Sequence, residues 1–207
     1  MKTKTLIGAL AAASLSFSAH ATLLDFDSPL TSGTKIAGYG GLTWTNMGAL
    51  DPSSSADYTG TGFASGVISK KNIAFNFAGN PASIGATGGF LLNSGWFTAA
   101  YYNNLTLDFI GTSGANKLTK TVTLGLQPLL VEFDWTIDLL ELRTSCDTGA
   151  TCVPGGDQQP LGFHFALDNL RIGESKNTVP EPGMLALLGG GLLGMTLVRR
   201  RRKAPAA

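Results

Sequence analysis

Three carboxylates and one histidine are the groups in this chain best placed to do chemistry. Asp25 and Asp27 flank Phe26, and far along the chain Asp168 stands beside Asn169. Carboxylates are hard oxygen donors of the kind Ca²⁺ takes, about six to eight at roughly 2.3–2.6 Å. Asp25, Asp27 and Asp168 could supply part of such a shell. The plainer alternative has Asp168-Asn169 capping a turn between two strand segments, with Asp25 and Asp27 facing solvent. His164 is the single histidine after Ala21 and has no Ser or Cys partner close in sequence. It alternates opposite a run of phenylalanines, which reads as a solvent-facing strand residue rather than a general base. The 14 acidic residues show no spacing that singles out a glycosidase-like pair. The chain has no zinc-type histidine cluster, nucleophile elbow or P-loop. These residues therefore predict a protein that is not an enzyme and requires no cofactor.

Two further sets bear on binding and stability. Trp44, Trp96, Tyr101, Tyr102 and Trp135 are candidate stacking platforms for sugars, because amphipathic rings pack on apolar sugar faces. Core packing is the competing role for most of them. Adjacent Tyr101 and Tyr102 would point to opposite faces of a strand, leaving one exposed. Cys146 and Cys152 are the only cysteines. In an oxidising compartment such a pair reads as a disulfide closing a tight, turn-rich loop.

The elements that must position these residues are strands. Leu105, Leu107 and Phe109 alternate with Thr106 and Asp108. Val122, Leu124 and Leu126 alternate with Thr121, Thr123 and Gly125. Val131 and Phe133 lead on to Trp135, Ile137 and Leu139 on one face, and Phe163, Phe165 and Leu167 alternate with His164, Ala166 and Asp168. Strict period-two alternation marks half-buried strands. Turn clusters punctuate them, at Asp51-Pro52-Ser53-Ser54-Ser55, Gly79-Asn80-Pro81, Gly111-Thr112-Ser113-Gly114 and Val153-Pro154-Gly155-Gly156. Helical periodicity is almost absent. The pattern predicts an all-β, jelly-roll-like β-sandwich.

The two ends of the chain are different in kind. Met1 to Ala21 carries Lys2 and Lys4, an apolar Leu6–Phe17 stretch and Ala19-His20-Ala21. That is a secretory signal peptide with a cleavage site defined by Ala19 and Ala21, cut after Ala21. At the other end, Val179, Pro180, Glu181 and Pro182 precede an apolar run from Met184 to Val198, followed by Arg199, Arg200, Arg201, Arg202 and Lys203. As a helix the run would be about 22 Å long, short for a bilayer core of about 30 Å. Snorkelling arginines and local thinning can make up the difference. The basic cluster predicts a membrane stop with the C-terminus cytoplasmic. The domain boundaries are then 1–21 for the signal peptide and 22–176 for an extracytoplasmic domain. An anchor segment at 177–203 and a tail at 204–207 complete the chain.

Trimming both ends changes the charge. All 14 acids lie between Asp25 and Glu181, and only 8 basic residues lie between Thr22 and Pro182, so the exported part carries 8 − 14 = −6. An acidic surface excludes nucleic acid as a partner, since phosphate backbones reward clustered Lys and Arg.

The tail, Val179-Pro180-Glu181-Pro182 followed by a Gly-rich apolar run and arginines, resembles the PEP-CTERM sorting signal of Gram-negative bacteria, many of them makers of exopolysaccharide. The resemblance implies the membrane protease exosortase as a partner. The two end signals together imply the Sec export machinery and passage through the inner membrane. After transient anchoring the chain would reach the envelope, the surface or the medium. The order Phe26-Asp27, Tyr39-Gly40-Gly41-Leu42-Thr43-Trp44, Asn72-Ile73-Ala74-Phe75-Asn76, Phe97-Thr98-Ala99-Ala100-Tyr101-Tyr102 and Phe165-Ala166-Leu167-Asp168 looks like an exported β-domain that precedes such tails. It also looks like carbohydrate-binding-module jelly rolls, in which the first and last strands pair and a structural calcium is held between them. Asp25, Asp27 and Asp168 are the positions this implies for the ion. A structural or adhesive protein of an exopolysaccharide-rich envelope or biofilm is the function expected. A carbohydrate-binding module, with extracellular polysaccharide as partner, is the first alternative, and an extracellular hydrolase the last.

Overall fold

The alternating segments become strands β1 (Thr22–Leu24), β2 (Thr43–Thr45), β3 (Met47–Leu50), β4 (Ile73–Asn76), β5 (Ala82–Ala99), β6 (Leu105–Ser113), β7 (Asn116–Leu124), β8 (Leu129–Cys146) and β9 (Phe165–Ile172). The computed structural model describes residues 22–146 and 163–173, all within the compact unit Ala19–Ser175. The signal peptide, the sorting tail with its arginines, and Cys152 lie outside the described residues. Among those described, the one α-helical turn is α1 (Gly62–Ser65), and no helix is long and apolar enough to cross a membrane.

All pairings are antiparallel, in the order β3-β4-β9-β5-β8-β6-β7, with β1 beside β9 and β2 beside β5. The 18-residue strands β5 and β8 serve both layers. The second half of β5 pairs with β9 and the first half of β8; the first half of β5 pairs with β2 and the second half of β8, which in turn pairs with β6. One continuous sheet therefore folds over itself into a β-sandwich. The bend falls where the β5–β8 register shifts between Gly85 and Phe90. Gly88 and Gly89 sit there at φ 86° and 82°, a left-handed conformation that side chains with a Cβ resist.

The core lies between the layers. Phe97 of β5 and Phe109 of β6, which are not sheet neighbours, meet edge-on with centroids 4.8 Å apart. Phe109 continues to Phe133 at 4.9 Å. Leu105, Leu107 and Phe109 are fully buried, as their alternation predicts.

Three expectations about facing are corrected. In β8 the inward phase changes: Val131 and Ile137 are buried, but so are Leu140 and Leu142, while Leu139 is only half-buried. The strand bends from one layer to the other, and a bend resets which parity faces inward. His164 is 9% exposed rather than solvent-facing, because the segment carrying α1 covers the outer face of β9. Leu50, Phe63, Ile73, Ala100 and Ala166 form a second apolar cluster there. Tyr101 and Tyr102 follow the end of β5 rather than alternating within it, and both are half-buried.

Candidate functional site

Phe26 governs the placement of the first two carboxylates. β1 ends at Leu24, and Phe26 takes φ 59°, turning its ring into the core against Tyr39 and Trp44 at 5.5 and 5.6 Å. Asp25 and Asp27 are thereby left on the outside of a kink rather than on the first strand. The Tyr39 hydroxyl donates to Asp25 Oδ1 at 3.1 Å. The Asp27 carboxylate receives the N–H groups of Lys70, Lys71 and Asn72 at 3.1, 2.9 and 2.9 Å.

Asp168 completes the clamp from the opposite end of the sequence. Its carboxylate accepts from the N–H groups of Ile68, Ser69 and Asn169 at 2.7, 2.8 and 2.7 Å. Asn169, at φ 49°, is the extra residue of a β-bulge where the β5–β9 register shifts. The turn expected at Asp168-Asn169 is therefore a bulge inside β9. Five successive amides, from residue 68 to residue 72, thus donate into two carboxylates. Backbone donors withdrawn from water must find acceptors, and these two side chains provide them for the part-buried amides of Ile68, Ser69 and Asn72 and also for the exposed ones of Lys70 and Lys71.

Burial pushes the Asp27 carboxyl up, but the amides of Asn72, Lys70 and Lys71 outweigh it and hold the group below the usual carboxylate value. At Asp168, which is fully buried, desolvation prevails over the amides of Ser69 and Ile68, and its carboxyl lies above the usual value.

The structure does not gather Asp25, Asp27 and Asp168 into one ligand set. Among the described residues no three of His, Cys, Asp and Glu group to hold a metal ion. N–H donors turned toward Asp27 and Asp168 present positive hydrogen where a cation would need open lone pairs. The expected pairing of first and last strands does occur, with Thr22 opposite Ile172.

The clamped segment displays two lysines over an open cleft. Asp51, Pro52, Ser53, Thr59, Gly60, Ala64, Val67, Lys70 and Lys71 line a space of about 310 Å³. Lys71 Nζ lies 3.1 Å from Asp51 Oδ2. Asp51 also accepts from the Ser53 N–H at 3.0 Å and the Ser53 hydroxyl at 2.6 Å. The Ser53 hydroxyl, ahead of Lys71, holds the Asp51 carboxyl below its usual value. This cleft was missed in the sequence, where residues 51–55 read only as a turn. Its trace there is a pair of adjacent lysines in a chain whose exported part is acidic.

The aromatic candidates separate by burial. Trp44 is 8% exposed and belongs to the core. Trp96 and Trp135 are half-buried, and Trp135 packs edge-on against Phe133 at 5.2 Å. Tyr101 and His164 both pack edge-on against Phe63, at 5.4 and 6.2 Å. Cys146 ends β8 and packs against the main core.

Residues 178–203 match the family model of the PEP-CTERM protein-sorting motif. The chain carries an exosortase sorting signal. The motif marks an exported protein that is sorted from the membrane toward the surface, with exosortase as its processing enzyme. No curated protein matches the sorted chain. Among solved structures, it is similar to TmCBM61, determined in complex with β-1,4-galactotriose. That match has 8% identity, covers 66% of this chain and 90% of the other, and has a TM-score of 0.40. So distant a likeness brings no ligand to this chain.

Proposed function

We propose that this is a non-catalytic surface or extracellular-matrix protein with a structural or adhesive role in an exopolysaccharide-rich envelope. The observation that carries this is the cleft itself. Asp27 and Asp168 are engaged in holding the backbone that presents Lys70 and Lys71, and His164 is packed among aromatic rings. Ammonium and hydroxyl groups carried on a clamped backbone beside an open space suit holding a ligand more than transforming it. The same cleft favours a second reading, a dedicated carbohydrate-binding module, because hydroxyls and ammoniums over a small apolar floor match a sugar. An extracellular hydrolase ranks last.

In this reading the chain leaves by the Sec route and loses residues 1–21 after Ala21. Arg199 to Lys203 keep its C-terminus cytoplasmic until exosortase acts at Pro180-Glu181-Pro182. Cys146 and Cys152 form a disulfide after export. Calcium is not required.

A retention assay tests the role. The full chain, purified in detergent, is passed over immobilised extracellular polysaccharide. Saturable retention with the polymer recovered intact is expected. Release of reducing ends, abolished by one Asp or Glu substitution, would move the protein to the hydrolase class. Absence of retention on every polymer would remove the adhesive role.

A further inference from the structure

We infer that the cleft of Lys70 and Lys71 is selective for anionic saccharides and takes a carboxylate-bearing, uronate-type sugar. This deepens, and rests on, the polysaccharide-facing role proposed above. Four features of the cleft point to that ligand.

The first is position. The backbone N–H groups of Lys70 and Lys71 are both bonded to Asp27, so the two Cα atoms are fixed before any ligand arrives. Binding then orders only the side chains, which lowers its entropic cost. The second is valence. An ammonium has three donors and no acceptor. Lys71, which lines the cleft, gives one to Asp51 at 3.1 Å while its side chain stays 63% exposed, so its other donors are open to solvent or a ligand. Lys70 is exposed and enters no ion pair among the described residues.

The third is the floor. Pro52, Ala64 and Val67 are its apolar members, and no aromatic ring among the described residues lines the cleft. Neutral sugars are usually gripped by stacking on rings; without one, recognition must lean on charge-assisted hydrogen bonds, which are roughly twice as strong as neutral ones. Ser53, Thr59 and Gly60 on the same walls offer groups for sugar hydroxyls. The fourth is the background. The exported part carries −6, yet screening limits each charge to roughly 8–10 Å at ordinary salt. Two adjacent lysines can therefore hold an anion on a protein that is acidic overall.

Affinity electrophoresis of the full chain in detergent tests the assignment, with polygalacturonate and the neutral polymer dextran as probes. Lys70→Gln is the decisive variant, because it leaves the Lys71–Asp51 pair intact. Lys117→Gln is the control, on a separate space of about 430 Å³ lined by Ser113, Asn116, Lys117, Leu118, Thr136 and Ile137. Retardation by polygalacturonate well above that by dextran is expected. It should weaken about tenfold in Lys70→Gln, with an unchanged melting temperature, and persist in Lys117→Gln. Equal retardation by both polymers, or loss in Lys117→Gln rather than Lys70→Gln, overturns this assignment and leaves the polysaccharide-binding role standing. No retardation by either polymer, together with no retention on the extracellular polysaccharide, overturns both.

Discussion

Asp27 and Asp168 show how two carboxylates of a single clamp can be shifted in opposite directions from the same ordinary value. Both accept three N–H bonds, but Asp168 is fully buried and Asp27 is not. The Asp27 carboxyl lies below its ordinary value of 3.8 in the folded state, as does that of Asp51. Such groups add stability that is present above the unfolded value and lost as pH falls through the folded one. Asp168 lies above 3.8, so its contribution runs the other way and partly opposes the loss. Thermal melts between about pH 5 and about pH 3 should show the melting temperature falling toward acid. Asp27→Asn should flatten that fall, and an equally steep fall would exclude the Asp27 carboxylate as its source. Chelation bears on the same residues. Because amides satisfy these carboxylates, EDTA should leave the melting temperature unchanged, and a drop on chelation restored by Ca²⁺ would bring back a structural ion.

At the scale of elements, β6 was legible in the sequence and β8 was legible only in its first half. The β6 alternation of Leu105, Leu107 and Phe109 survives because that strand stays in one layer between two neighbours. β8 moves from one layer to the other, so its buried residues shift from Ile137 to Leu140. No local pattern announces that shift, since it depends on where β5 bends. The bend makes its own prediction. Gly88→Ala places a Cβ at φ 86° with open space around it, so only backbone strain is added, about 1–2 kcal/mol. A denaturant midpoint unchanged by this substitution would mean that the bend does not need a left-handed residue. β9 misled for another reason. Its His164–Asp168 face reads as the wet side of a half-buried strand, but residues far away in sequence, from Leu50 to Ile73, supply a second apolar cover.

For the molecule as a whole, β1 and β9 pair side by side, with Thr22 opposite Ile172. The first residue after the expected signal cleavage therefore lies beside the last strand before the sorting tail. Changing Pro180, Glu181 and Pro182 to alanine should leave the folded domain intact and the full-length chain in the inner membrane. Membrane fractionation checks this, and normal processing of the variant would sink the sorting role of the motif.

Whatever is written in consecutive residues could be read without the fold. The sorting signal, the β class and the acidity of the exported part all lie in local pattern or simple sums. Tertiary structure alone decided the rest. It set Asp27 and Asp168, 141 positions apart, around five consecutive amides, and made clamps of carboxylates for which the sequence left a calcium role and a plain structural one both open. It also joined Asp51 and Ser53 to Lys70 and Lys71 across one cleft. Which side chains meet depends on strand register and on where long strands bend, and both are settled by burying two layers at once. Charge and type are properties of a residue, but the partner of a carboxylate is a property of the fold.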